Sequence, residues 1–319
     1  MSAPPPVALS LVKLDITEGI ATITVNRPEA LNAITPACFP QLQQALDEAI
    51  ANPEVRGIVL GGEGKVFIVG ADVNFFIRNI EANDIPRIIQ FSLAGHRFLN
   101  ALDNAPKPVV ARVHGAALGG GLEFALACDR VIASPGASFG FPETGLGIFP
   151  GFGGTQRAPR TVGMALAKWL IYTGKTLSAN DALKIGIVDH VVPNDQLDEV
   201  CRGIAAGPFP PPKRRPRSPE FAGIEKLFAE NRAENLRLGV VETNSDPNLL
   251  RAVKQVGTKA PLALRIVERI IDEGAEQPFI DALKLEIAYV TEVFSTSDAL
   301  LGLKFRVGRT LGNPEFQGR

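Results

Sequence analysis

The 319-residue chain has little cysteine and little histidine, with three residues of each type. The cysteines, Cys38, Cys128 and Cys201, lie far apart in the sequence. They therefore form neither a disulfide framework nor a Cys-x-x-Cys metal motif, and the histidines lack the spacing of metal ligands. We expect no metal site and a reducing compartment.

The chain also lacks an excess of either charge and any long apolar run. Lys and Arg number 33 and Asp and Glu 34, so the net charge of −1 argues against a nucleic-acid-binding protein. No apolar run reaches the length of a membrane span. The first residues do not resemble a secretory signal, and the last are not a Ser-Lys-Leu peroxisomal signal. We expect a cytoplasmic protein with no membrane contact.

Glycine and proline, in contrast, are abundant, with 31 and 25 residues. Such a composition can indicate disorder, but 45% of the residues are hydrophobic and only 21% are charged. A chain this apolar can bury a core, and it has no Gly-X-Y repeat of the collagen type. We therefore expect a globular protein that uses glycine and proline at particular positions.

Hydrophobic periodicity predicts short strands that alternate with amphipathic helices over about the first 200 residues, which is typical of an α/β layered core. The predicted strands are a hairpin within 7–25 and short segments at 57–60, 67–72, 109–113 and 131–133. The predicted helices of this region are 35–51, 84–103, 119–127, 162–173 and 178–186. Later helices are predicted at 222–232, 246–257, 260–273, 278–294 and 297–309.

The segment 203–220 differs from its surroundings. Six prolines fall between Pro208 and Pro219, around the basic run 213–217. This run could be a nuclear or nucleic-acid patch, but a solvated loop is the favoured interpretation in a near-neutral chain. We predict a core with the active site over 1–202, a linker or insertion over 203–245, and a helical C-terminal region over 246–319.

Eleven glycines lie between residues 115 and 154. Their spacing does not match the dinucleotide fingerprint Gly-x-Gly-x-x-Gly, and neither a phosphate loop nor a Gly-x-Ser-x-Gly elbow occurs in the chain. In 119–123, however, a triple glycine opens a predicted helix. Glycines there allow close approach to unpaired N–H groups, which suit an enolate oxygen as well as a phosphate.

Two glutamates accompany these glycines. Glu123 lies in the first turn of the predicted helix, and Glu143 lies between apolar residues. A carboxyl group in apolar surroundings has a raised pKa and can act as an acid or a base near neutral pH. The alternatives are a carboxylate that stabilises the helix dipole at Glu123 and a surface-loop acid at Glu143.

Several motifs follow one another between Ile20 and Asp189. They are Asn26-Arg-Pro28 with Leu31-Asn-Ala33, Phe67-Ile-Val-Gly-Ala-Asp72, Lys107-Pro-Val109, Gly119-Gly-Gly-Leu-Glu123, Phe139-Gly-Phe-Pro-Glu143, Pro150-Gly-Phe-Gly-Gly-Thr-Gln-Arg157, and Gly174-Lys175 with Asp181-Ala182. This series resembles the crotonase superfamily, the enoyl-CoA hydratase/isomerase family. In sequence, these motifs are most similar to those in the hydratase part of multifunctional β-oxidation proteins.

The resemblance implies a crotonase-like spiral of stacked ββα units, a helical C-terminal region, and trimers that pair into hexamers. It also implies an acyl-CoA substrate and no metal or redox cofactor, since coenzyme A is part of the substrate. The CoA phosphates and adenine would lie near Arg27 and Ala30.

By the same resemblance, the N–H groups of Ala71 and Gly120 form an oxyanion hole for the thioester carbonyl. Asp72, Val73 and Asn74 belong to the substrate-binding segment that follows. Hydratases of the family carry two glutamates and isomerases generally use one. The pair is therefore interpreted as a water-activating Glu123 and a Glu143 that exchanges the proton at C2.

Alternatives remain open at the sequence level. The same enolate chemistry would serve an isomerase, or a lyase or hydrolase acting on acyl-CoA, and a crotonase fold can also bind CoA or nucleic acid without catalysis. The segments 74–106 and 203–245 look longer than in short-chain hydratases. Phe75 and Phe76 in the first of them are predicted to reshape the acyl pocket.

Overall fold

The fold begins with the predicted hairpin. The computed structural model describes residues 10–208, 218–310 and 314–319. Strands β1 (Val12–Thr17) and β2 (Ile20–Val25) pair antiparallel, with Val12 opposite Val25. Along β1, buried or half-buried residues alternate with exposed ones, which matches a strand with one face against the core.

A six-stranded sheet continues from this hairpin in the order β1-β2-β3-β5-β7-β10. Its other members are β3 (Gly57–Gly62), β5 (Val109–Val113), β7 (Arg130–Ala133) and β10 (His190–Val191). All of its neighbouring pairs after the hairpin are parallel. Every residue of β3 is buried, as expected for a parallel strand covered on both faces.

A second sheet of four strands lies beside the first, in the order β4-β6-β8-β9. Its members are β4 (Ile68–Val69), β6 (Ala116–Leu118), β8 (Ser138–Gly140) and β9 (Leu177–Ser178). The chain alternates between the two sheets: each of the strands β3, β5 and β7 of the first sheet is followed directly by a strand of the second sheet, which is β4, β6 or β8 respectively. Each pair of strands then leads into a helix, which confirms the stacked ββα arrangement.

Fourteen α-helices occur among the described residues. Those of the first two thirds are α1 (Cys38–Ala51), α2 (Val73–Glu81), α3 (Ile85–Asp103), α4 (Gly120–Leu126), α5 (Gly154–Val162), α6 (Met164–Thr173), α7 (Ala179–Ile185) and α8 (Leu197–Ala206). The later ones are α9 (Ala222–Glu230), α10 (Ala233–Leu238), α11 (Pro247–Gly257), α12 (Pro261–Ala275), α13 (Phe279–Phe294) and α14 (Ser297–Arg306). Short 3-10 turns span Pro28–Ala30, Glu143–Leu146 and Pro219–Phe221.

The helices predicted at 35–51, 84–103, 246–257 and 278–294 are confirmed to within about three residues, an ordinary spread for helix ends. Helices α2, α5, α8 and α10 were not predicted. The expected domain boundary after residue 202 falls inside α8, and the 203–245 segment contains α9 and α10. The basic run 213–217 lies outside the described residues, so the nucleic-acid interpretation of that run stays a prediction.

The C-terminal helices pack directly onto the α/β core. Helix α13 lies against α3 and α12, and α14 lies against α2 and the Glu143–Leu146 turn. One hydrophobic cluster includes Ile68 of β4 as well as Val267 and Val290 of the C-terminal helices. Within the described part of the chain, no helix is long and apolar enough to cross a membrane.

Candidate active site

Three neighbouring parallel strands of the second sheet end at the same edge. Ala71 follows β4, the triple glycine follows β6, and Glu143 follows β8. Since residues just after neighbouring parallel strands lie close together, segments some 70 residues apart in sequence meet here. Ligand sites in α/β folds characteristically form at such carboxyl ends.

The two predicted oxyanion-hole N–H groups are available for a ligand. Among the described residues, neither the Ala71 N–H nor the Gly120 N–H donates a hydrogen bond. Ala71 is held on both sides, because Ile34 N–H donates to the Gly70 carbonyl at 2.9 Å and Asp72 N–H donates to the Ile34 carbonyl at 2.9 Å. Gly120 is the first residue of α4, where N–H groups have no partner within the helix.

Glu123 is 1% exposed and is held by the loop that leads into α5. Its Oε1 accepts hydrogen bonds from Phe152 N–H at 2.7 Å and from Gly154 N–H at 2.6 Å. A Cβ atom on residue 154 would lie 2.8 Å from this oxygen, so the contact requires glycine there. Burial, followed by the charges of Glu286 and Glu143, raises the pKa of Glu123, while the two N–H groups oppose that rise.

Glu143 opens the 3-10 turn after β8 and is 7% exposed. Its Oε2 is buried and accepts no hydrogen bond from any described residue. Burial raises the pKa of Glu143 to about 8, because a carboxylate here loses its hydration without gaining a donor at Oε2. Glu143 is therefore protonated at neutral pH and can donate a proton.

The close packing around Glu143 depends on Gly119. This residue has a φ of +54°, and a Cβ atom on it would lie 2.6 Å from Oε1 of Glu143. A side chain at 119 would therefore displace the carboxyl group as well as strain the turn. This explains why residue 119, the first of the three consecutive glycines, is a glycine.

A cavity of about 360 Å³ brings these groups together. Ala71, Gly120, Glu123 and Glu143 all line it. The rest of its wall is largely apolar and includes four phenylalanines: Phe76, Phe149, Phe152 and Phe294. Such a site, apolar with a few convergent polar groups, is typical of small-molecule binding.

The three residues of the predicted substrate-binding segment have different positions. Val73 lines the cavity, whereas Asp72 and Asn74 are not part of its wall. Asp72 caps α2 by accepting a hydrogen bond from Asn74 N–H at 3.0 Å, and it pairs with Arg27 at 3.4 Å. The Asn74 side chain accepts a hydrogen bond from Arg309 at 3.0 Å.

Sequence reasoning missed the C-terminal contribution to this site. Val290 of α13 and Leu303 and Arg306 of α14 also line the cavity. A third buried glutamate, Glu286, contacts the loop that holds Glu123. Its signal was its place on the apolar face of the predicted helix 278–294, where a charged residue is unexpected.

No group of three His, Cys, Asp or Glu side chains among the described residues is arranged to hold a metal ion.

Comparison with known proteins agrees with this geometry. The sequence profile of the family described as enoyl-CoA hydratase/isomerase matches residues 15–207. The chain belongs to the enoyl-CoA hydratase/isomerase family. Its match with a short-chain-enoyl-CoA hydratase of Clostridium acetobutylicum is 42% identical over 200 residues, which cover 62% of this chain and 74% of the relative.

Two further matches extend past residue 207. The fatty acid oxidation complex subunit alpha of Shewanella loihica is 34% identical over 309 residues, which cover 93% of this chain but 41% of that protein. The crystal structure of an enoyl-CoA hydratase from Rhodobacter sphaeroides aligns with a TM-score of 0.82 at 26% identity. That alignment covers 97% of this chain and 93% of the other, so the crotonase fold and its helical C-terminal region are confirmed.

Proposed function

We propose that this protein is an enoyl-CoA hydratase, which adds water across the 2,3 double bond of an enoyl-CoA thioester. The observation that carries the proposal is the pairing of two buried glutamates, Glu123 and Glu143, in the wall of one apolar cavity. The family membership and the hydratase relatives support the same chemistry.

The thioester carbonyl lies between the N–H groups of Ala71 and Gly120. Attack of water at C3 moves electron density onto this oxygen, and the two donors stabilise the resulting enolate. Donors held in place in a site that excludes water are effective because they need no reorganisation during the reaction; removing one such donor typically costs about 10²–10³-fold in rate.

Glu123 orients the water and removes its proton. Its Oε1 is held by two N–H groups, and its Oε2 accepts no hydrogen bond among the described residues, which leaves that atom free for water. The two N–H bonds lower the pKa of Glu123, although burial and the charges of Glu286 and Glu143 outweigh them and raise it. Hydration uses the ionised form of Glu123 and the protonated form of Glu143, whose Oε2 has no donor.

Glu143 delivers its proton to C2 of the enolate. Its raised pKa keeps it protonated at neutral pH. Glu123 takes one proton of the water and Glu143 gives one proton to C2, so the product gains one water. Loss of a proton from Glu123 and gain of a proton by Glu143 then restore both acids. Val73 and the four phenylalanines of the cavity wall surround the acyl chain.

The decisive assay is the loss of absorbance at the enoyl thioester band when crotonyl-CoA is added, with mass detection of water addition for longer and cyclic enoyl-CoA thioesters. Glu123→Gln and Glu143→Gln should each lower kcat by at least about 10²-fold. Glu268→Gln is a matched control, since Glu268 is 5% exposed and lies in α12 outside the cavity wall. If no enoyl-CoA is hydrated by the wild type, the proposal is wrong.

Isomerisation of a 3-enoyl-CoA is the second candidate, because it uses the same enolate. An isomerase with one essential acid would keep activity in one of the two glutamine variants. A lyase or hydrolase acting on branched or cyclic acyl-CoA would be detected by product analysis. A non-catalytic CoA- or nucleic-acid-binding homologue has no use for both glutamates, and salt-dependent filter binding tests its nucleic-acid form.

We also propose that the enzyme works in the cytoplasm as a trimer or a pair of trimers, without a metal or redox cofactor. The basis for the assembly is the family resemblance alone. Light scattering coupled to gel filtration would give its mass, and a monomer would contradict it.

A further inference from the structure

A third glutamate lies behind the proposed catalytic pair. Glu286 of α13 is fully buried, and its carboxyl oxygens form hydrogen bonds with four groups. Its Oε2 is 2.8 Å from His96 Nε2 and accepts from Gly153 N–H at 2.8 Å. Its Oε1 accepts from the N–H and the hydroxyl of Thr155. A carboxylate, which only accepts, matches this set of donors, so the His96 ring donates through Nε2.

Glu286 and Glu123 both accept hydrogen bonds from the backbone of residues 152–155. Glu123 accepts from the N–H groups of residues 152 and 154, and Glu286 accepts from those of residues 153 and 155. The two carboxylates thus take alternate N–H groups of four consecutive residues. Turning this backbone to lose one set of bonds would disturb the other set.

This geometry assigns to Glu286 a role that rests on the proposed hydratase function. We propose that Glu286, oriented by His96, is a positioning residue that holds the 152–155 backbone in the conformation that binds Glu123 and keeps a negative charge beside it. Glu286 is not part of the cavity wall, so it acts through Glu123 and does not touch substrate.

The electrostatic surroundings agree with this role. The charge of Glu286 raises the pKa of Glu123, second only to burial, and it also raises that of Glu143. Three titratable groups interact with Glu286: His96 of α3 contacts it, and the pKa values of Glu123 and Glu143 are raised by its charge. Among the cations on the helices that pack against α13, Arg157 of α5, Arg269 of α12 and Lys304 of α14 pair with Asp103, Glu273 and Glu81.

A purely structural role for Glu286 would lower stability or kcat without moving the pH dependence. The positioning role makes a different prediction for Glu286→Gln, in which the charge is removed. The limb of the kcat/KM profile that reports Glu123 should move to lower pH by about one unit, because a like charge beside it is lost. We expect kcat to fall roughly tenfold, since Glu123 is displaced, and KM to change less than about twofold, since no contact with substrate is lost.

Glu268→Gln is again the matched control, because Glu268 is also a buried carboxylate that accepts a backbone N–H, from Ala233 at 2.9 Å. Glu268→Gln should leave the pH dependence of kcat/KM as it is in the wild type. An unshifted profile in Glu286→Gln, with the wild type active, overturns the positioning role and leaves the hydratase proposal intact. An inactive wild type overturns both.

The His96 contact gives an independent test if Glu286→Gln does not fold. His96→Gln keeps a side-chain donor for Glu286, whereas His96→Ala removes it. We expect His96→Ala to lose kcat roughly tenfold with KM nearly unchanged, and His96→Gln to recover most of that loss. Equal kcat in the two variants contradicts the inference, since the donor would then be irrelevant.

Discussion

Replacing Glu143 with glutamine should have opposite effects on activity and on stability. The carboxyl group is buried with its Oε2 unpaired, and its pKa is raised from 4.5 to about 8. The folded protein therefore holds a proton that the unfolded chain releases between these pH values. Stability from this group is complete below pH 4.5 and is lost as the pH rises through about 8.

The size of this effect follows from linkage. With pKa values of 4.5 unfolded and about 8 folded, the free energy of unfolding of the wild type falls by about 2 kcal/mol between pH 6 and pH 8 because of this one group. Glutamine cannot ionise, so in Glu143→Gln this residue causes no fall in the free energy of unfolding between pH 6 and pH 8. Its catalytic proton is also gone, and kcat should fall by about 10²–10⁴-fold.

The assay is chemical unfolding of wild type and Glu143→Gln at pH 6, 7 and 8, at one protein concentration, beside crotonyl-CoA hydration at the same pH values. As the pH rises from 6 to 8, the free energy of unfolding of the wild type should fall relative to that of Glu143→Gln. A constant difference across this range would refute the reasoning, because Glu143 would then have an ordinary pKa in the folded protein.

Three further outcomes are expected. Gly119→Ala should lower kcat by roughly tenfold or more, because the new Cβ would meet the Glu143 carboxyl group. It should also lower the free energy of unfolding by about 1–2 kcal/mol, because φ at this residue is positive. Gly136→Ala is the control and should have neither effect, because a Cβ there meets nothing within 4 Å. Phe294→Leu should raise kcat/KM for longer enoyl-CoA chains relative to crotonyl-CoA, since the Phe294 ring lines the cavity 5.0 Å from the Phe76 ring, and an unchanged chain-length preference would exclude this ring as a determinant. Dialysis against a chelator should leave hydration unchanged, and activity restored by an added metal would contradict the metal-free mechanism.

Much of the fold follows from local patterns in the sequence. Alternating apolar residues predict the first hairpin, and the 3.6-residue period predicts helices such as α3 and α13. Helix α2 was missed although the shorter α7 was predicted. The N-cap of α2, Asp72, was instead assigned to the substrate segment by family resemblance, whereas its side chain accepts from Asn74 N–H.

The proposed active site could also be predicted only in part from the sequence. Glu123 and Glu143 stand out in the sequence because each accompanies glycines and apolar residues, and the ends of β4, β6 and β8 bring them to one cavity. The depth of their burial, and hence the raised pKa of each, depends on the helices that cover that edge.

What the sequence by itself determined is the first hairpin, the buried strands β3, β5 and β7, most of the helices, the two acids and the glycines beside them, since these depend on spacing within a few turns of chain. Only the tertiary structure decided that Glu286 meets His96, 190 residues away, and Gly153, 133 residues away. Periodicity places Glu286 on a buried face but cannot name its partners. Those follow from the packing of α13 against α3 and α5, which is set by the fit of whole helix surfaces.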